Sequence, residues 1–267
     1  MRQLLPFAII FPLLATAQYD SDTLRARMDT WNTVRARSSA MSIEDVMNDE
    51  WRINAQLSEA LAGVLAVPGL SDHDIDSLIP ADQLHRVRSA DGRLWLFSWD
   101  ERTGGTFLAQ VTLAFFRDAQ GNGHPVFGRS NNDEGADMEW SHGGAYDAIH
   151  ALGRTDSSTL YVCVGSVKGC SSCCSEMLTV IELTRDDIRF DFPAFEWTDT
   201  DGERIMVATW ELTARCGDVS RFEYDPKHKM ARYTYSADDL TPVHTEETSD
   251  QVVTGTARFD GIRFIIQ

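Results

Sequence analysis

Between Ser21 and Leu65 apolar side chains return every three or four positions: Leu24, Met28 and Trp31 in one run, then Val46, Ile53, Leu57, Leu61 and Val64, with a break at Glu50. This period matches an α-helix with one buried stripe, so two amphipathic helices are predicted. Ser42 followed by Asp45 resembles a capping box with Asp in the usual Glu position, and Pro68-Gly69 supplies a stop. Amphipathic faces ordinarily serve the chain's own core, which places these helices against one side or edge of a sheet.

After about Leu84 the period changes to two. RLWLFSW (93–99), TFLAQVTLAFF (106–116), TLYVCVGSV (159–167), MLTVIEL (177–183), IRFDFPAFEW (188–197), RIMVATWEL (204–212), RFEYD (221–225), ARYTYS (231–236) and QVVTGTARF (251–259) are rich in β-branched and aromatic residues. Turn signals fall between them at Asp91-Gly92, Thr103-Gly104-Gly105, Gly121-Asn122-Gly123, Asp201-Gly202, Asp225-Pro226 and Asp260-Gly261. No crossover helix separates the strands, so an antiparallel meander of ten or more is expected, with a parallel sheet disfavoured. The predicted fold is mainly β with an N-terminal helical segment, its sheet curved into a sandwich or barrel. A small propeller is the alternative, weakened by the absence of a repeat of about 40 residues.

The first residues change the picture of where this fold matures. MRQLLPFAIIFPLLATAQYD carries Arg2, then an apolar run ending in Ala15-Thr16-Ala17, the layout of a secretory signal peptide cut after Ala17. The run is shorter than the roughly 20 apolar residues a spanning helix needs and contains Pro6 and Pro12, and no later stretch could span a bilayer. The expected organisation is a signal peptide (1–17), a helical segment packing on the sheet (18–83) and an antiparallel β domain (84–267), in the periplasm or outside the cell. Against 41 acidic residues stand 24 basic ones, a formal charge of −17, and only Lys168, Lys227 and Lys229 are lysines. Nucleic-acid binding is set aside, because its affinity comes from clustered Lys and Arg displacing counterions.

Ser89-Ala90-Asp91-Gly92-Arg93-Leu94-Trp95-Leu96-Phe97-Ser98-Trp99-Asp100, followed by Gly104-Gly105-Thr106, resembles a signature of uncharacterised secreted bacterial strand-rich proteins. The closing TARFDGIRFI (256–265) is similar to the way such chains end: an aromatic strand, an Asp-Gly turn and a last strand. The resemblance implies a secreted, strand-rich fold and carries over no activity and no catalytic residue. The GCSSCC run (169–174) is not part of the pattern.

Five cysteines are present: Cys163 on a strand, Cys170, Cys173 and Cys174 in the following link, and Cys216. A thioredoxin-like site needs its first thiol at a helix N-terminus, and the setting here is a hairpin. Zinc could draw on these thiolates with Cys163, Cys216 or a histidine as the fourth ligand, but the C-x2-C-C spacing lacks a second knuckle, and an oxidising compartment favours disulfides. The preferred reading is therefore one or two disulfide staples. Joining Cys216 to Cys173 would contribute about 4 kcal/mol in the loop-closure model. Five is odd, so at least one thiol is left free or pairs with another chain, and a Cys173-Cys174 bond between neighbours is disfavoured by geometry.

Other chemistry is weaker. Asp72-His73-Asp74-Ile75-Asp76 alternates acids like a calcium loop, but Ser77 and Gln83 stand where glycine and glutamate are required. Asp118 with Asn122, the segment Asn131 to Asp137, and Asp199 with Asp201 offer oxygens without a full ligand set. No cofactor is expected, with zinc and calcium disfavoured. Ser141-His142-Gly143-Gly144 near Asp147 holds hydrolase ingredients, although triads are assembled in space. The ligand-binding candidates are Trp95, Trp99, Asp100, Gly104, Gly105, Trp140 and His142, for a glycan or peptide on an aromatic surface. The face shared by Trp95, Phe97 and Trp99 is more often a core than a platform. The sequence thus supports a noncatalytic binding or envelope-structural domain. The alternative is a secreted hydrolase with its site in the loops Trp99 to Thr106 and Asn131 to Asp147.

Overall fold

The computed structural model describes residues 21–37, 43–79, 84–100, 110–127, 144–154, 157–168, 173–190, 192–198, 201–215, 221–236 and 252–266. The expected leader with its cut after Ala17, and the expected cap at Ser42, lie outside them. The two expected helices form as α1 (Ser21–Arg37) and α2 (Ile43–Leu65). A third, α3 (Asp72–Leu78), occupies the stretch whose alternate acids imitate a calcium loop. Ser71 caps it: its hydroxyl accepts from Asp74 N–H while the Asp74 carboxylate accepts from Ser71 N–H, a reciprocal box.

Three open sheets follow, antiparallel but for one strand pair, and none closes into a barrel. Sheet I orders β1 (His85–Arg88), β2 (Leu94–Asp100), β3 (Gln110–Arg117) and β4 (Gly123–Phe127). Sheet II runs from β11 (Thr209–Arg215) through β7 (Cys173–Thr184) and β6 (Ser158–Lys168) to β5 (Ala145–Arg154), with β8 (Ile188–Arg189) appended to β7. Sheet III orders β10 (Arg204–Val207), β9 (Phe195–Thr198), β15 (Phe264–Ile266), β14 (Val252–Phe259), β13 (Met230–Ser236) and β12 (Arg221–Asp225).

Packing of side chains on alternate faces stacks these elements into four layers. Trp95, Phe97, Trp99, Leu113 and Phe115 of sheet I meet Leu24, Met28, Leu57 and Leu61 of the helices. The opposite face, with Leu94, Leu96, Ala114 and Phe116, meets Tyr146, Tyr161, Cys163, Met177 and Ile181 of sheet II. The other face of sheet II, with Leu160, Val162, Leu178 and Val180, meets Phe195, Phe222, Ala257 and Phe264 of sheet III. The sandwich is therefore borne out, with the helical segment packed on its first sheet.

The structure corrects several expectations. IRFDFPAFEW is two strands in different sheets, β8 and β9, separated across Pro193, which cannot donate to a ladder. RIMVATWEL likewise divides at Ala208, β10 staying in sheet III and β11 crossing to sheet II. The pairing is not wholly antiparallel, since β15 runs parallel to β9, with Phe264 opposite Phe195. The Asp-Gly turns form as expected, and Gly92, Gly202 and Gly261 take φ of 69°, 83° and 112°, a region L side chains rarely adopt.

Two substitutions test this packing. Phe97 is fully buried between helices and sheet I, and Phe97→Ala is expected to lower unfolding free energy by about 3–5 kcal/mol in urea titration. A Cβ on Gly165 would stand 2.6 Å from the Ala145 carbonyl oxygen, so Gly165→Ala should lower Tm although alanine is the less flexible residue.

Candidate functional site

Where sheets I and II end beside α3, their turns enclose an open polar cleft of about 860 Å3. Its first wall is the Ser89–Arg93 turn. Buried Ser89 donates its hydroxyl to Asp91 Oδ1 (2.6 Å) and accepts from Leu94 N–H (3.0 Å), while Arg93 N–H also reaches Asp91 Oδ1 (3.2 Å). Across the layer boundary the buried Tyr161 hydroxyl donates to Asp91 Oδ2 (2.7 Å). Burial pushes the Asp91 carboxyl up, but the Ser89, Tyr161 and Arg93 donors with the Arg93 charge outweigh it and hold the group below its ordinary value. The same contacts leave the Tyr161 phenol raised, chiefly by burial and then by Asp91.

The second wall is the β3–β4 turn. Asp118 accepts from His124, the Asn122 side chain and the backbone N–H groups of Asn122 and Gln120, and these donors hold it far below the usual carboxylate range, His124 first. The Asp118/Asn122 pair considered as calcium oxygens is thus the cap of a turn. Arg117 spans the floor, pairing with Asp72 and donating to the carbonyls of Gly92 (3.1 Å) and Leu70 (3.0 Å). Asp72 also meets Arg88 at 2.5 Å, and Asp76 pairs with Arg86, so the alternate acids of α3 diverge to separate partners. Arg93, whose Nη1 lies 3.4 Å from Thr159 Oγ1, and Arg185, 69% exposed, keep donors for a ligand. The signal for this site in the sequence was the pair of turns Asp91-Gly92 and Asp118 to Asn122; nothing in the sequence marks Arg93, Arg117 or Arg185 as neighbours.

The residues singled out from the sequence are placed differently. Trp95 and Trp99 are each 3% exposed and face the helices, so they are core and not a ligand platform. Trp99 Nε1 donates to Asn54 Oδ1 of α2 (2.9 Å), and Asp100 offers its carbonyl to Trp31 of α1 (3.3 Å). Gly104, Gly105, Trp140, His142, Cys170 and Cys216 lie outside the described residues, as does the side chain of Cys173. Cys163 is a free thiol at 0% exposure in the core between sheets I and II, and burial pushes its pKa up. That removes Cys163 from the staple and from any thiolate ligand set, since β6 turns it toward sheet I. Cys174 is not a free thiol. Among the described residues no group of three His, Cys, Asp or Glu converges to hold a metal.

One carboxyl departs the other way. Burial raises Glu176, opposed by the Phe222 N–H it accepts and by Arg221, and reinforced by Asp147. Asp147 stands 3.7 Å from His85 Nε2. No family model, curated protein or solved structure matches this chain.

Two measurements follow. Cys163 should resist iodoacetamide in the native protein and react once denatured. Because the folded Asp91 carboxyl lies below its unfolded value, its hydrogen bonds stabilise the fold above about pH 4 and are lost as pH falls through the folded value. Tyr161→Phe should therefore cost about 1 kcal/mol at pH 7, a difference that narrows at pH 3 in urea titration.

Proposed function

We propose that this protein is an exported, noncatalytic binding module of the cell envelope whose cleft between sheets I and II receives a glycan or a peptide. The observation that carries this reading is the state of the cleft's carboxylates. A general acid must hold its proton near neutrality, which requires a raised pKa. Asp91 and Asp118 are displaced downward by donors that occupy their oxygens, and Asp72 lies between two arginines. What remains for a ligand is a pair of donor groups, the Arg93 and Arg185 guanidiniums, suited to sugar hydroxyls or a peptide carboxylate.

Export is supported by the leader ending at Ala17 and by the resemblance to secreted strand-rich proteins. In that compartment the staple falls to Cys170, Cys173, Cys174 and Cys216. The β7–β11 register supports it, setting Cys174 opposite Ala214 and Cys173 opposite Arg215, one residue before Cys216. The raised Glu176 beside Asp147 favours the hydrolase as second reading.

A glycan and peptide array probed with the full chain separates the two. The binding module predicts hits whose affinity falls roughly tenfold or more with Arg93→Ala and which are not turned over. Turnover of a hit that Glu176→Gln abolishes would establish the hydrolase instead.

A further inference from the structure

Sheet III has one face on sheet II. At one end of it two turns lie side by side: 225–230 joins β12 to β13, and 259–264 joins β14 to β15, with Phe259 N–H donating to the Lys229 carbonyl at 3.0 Å. Each is closed by an aspartate whose carboxylate accepts from N–H groups of its own turn. Asp225 Oδ1 accepts from the N–H groups of Lys227 (3.0 Å) and His228 (3.1 Å), and its Oδ2 meets His228 Nδ1 at 2.6 Å. Asp260 Oδ1 accepts from those of Ile262 (2.8 Å) and Arg263 (2.9 Å).

With the acids occupied, the crest presents Lys227, Lys229, Arg258 and Ile262, all exposed. The first two are two of the chain's three lysines, and none of the three cations has an ion-pair partner among the described residues. Ile262 is 69% exposed, the most exposed large apolar side chain described. Lys229 holds φ at 49°, where a lysine is uncommon.

We propose that this crest docks on an anionic lipid surface, Ile262 entering at headgroup depth while Lys227, Lys229 and Arg258 meet lipid phosphates. A branched aliphatic at the apex has nothing to contribute to a soluble polyanion, whereas cations around an apolar tip fit the charged, interfacial layer of a bilayer. The formal charge of −17 does not prevent approach, because screening acts over about 8 Å at physiological salt and sheet III strands extend well beyond that from the crest. The crest shares no residue with the cleft, so this proposal and the array result stand or fall separately.

Cosedimentation of the full chain with vesicles tests it, comparing phosphatidylcholine alone with phosphatidylcholine containing phosphatidylglycerol. Binding is expected on the anionic vesicles only, weakened by salt, reduced roughly fivefold by each of Lys227→Gln and Lys229→Gln, and lost with Ile262→Asp but kept with Ile262→Leu. Thermal melting checks that the variants fold, and Ile262→Ser replaces the aspartate if that variant does not. Equal binding to neutral vesicles, binding that survives every crest substitution, absence of binding, or equal capture on a soluble sulfated polysaccharide would overturn the proposal.

Discussion

Two consecutive sheets that are each buried on both faces set the terms for everything else in this molecule. Leu94 to Trp99 of β2 are six residues in a row with no solvent face, and Val111 to Phe116 of β3 are the same. Such strands have to be covered twice. The amphipathic helices close sheet I from outside, and sheet III closes sheet II. The layer order follows from that demand, and so does the charge distribution, since mainly the outermost faces and the strand ends remain for charged side chains.

Strand ends between two dry layers carry polar groups that must find partners, and the ties observed there are of that kind. The Ser89/Asp91 turn reaches across to Tyr161, and Arg117 gathers the carbonyls of Leu70 and Gly92 to Asp72. The SADG run is thereby explained as a join between layers. The cleft is the space these joins leave open, which is why its acids are held as acceptors and its arginines are the groups with donors to offer.

The core was legible because its signal is local. Helical spacing marked Leu24, Met28, Leu57 and Leu61, and alternation marked most strands. The three unexpected strands are all edges with broken patterns: β1 is short and charged, β4 contains Pro125, and β5 carries two bulges that interrupt its alternation. Helix α3 was hidden by its acids, which read as ligands until Ser71 capped them. The cleft was not legible, because Arg93, Arg117, Thr159 and Arg185 meet only through the stacking of sheets. The tryptophans were legible as core by alternation and as a platform only by their polar N–H groups; the core reading holds, and helix α2 supplies Asn54 to satisfy the Trp99 N–H internally.

The position of β15 bears on how the chain can assemble. It inserts between β9 and β14 in mid-sheet, and Phe264 stacks on Phe195, whose ring centroid is 5.1 Å away and whose place in the chain is 69 residues earlier. Until β15 arrives, the β9–β10 hairpin keeps a bare edge and sheet III exists as two unjoined halves. A chain delivered from N- to C-terminus, through a ribosome tunnel or a translocation channel, therefore cannot complete this layer in order of emergence, and a holdase shielding the waiting hairpin would be protecting that open seam.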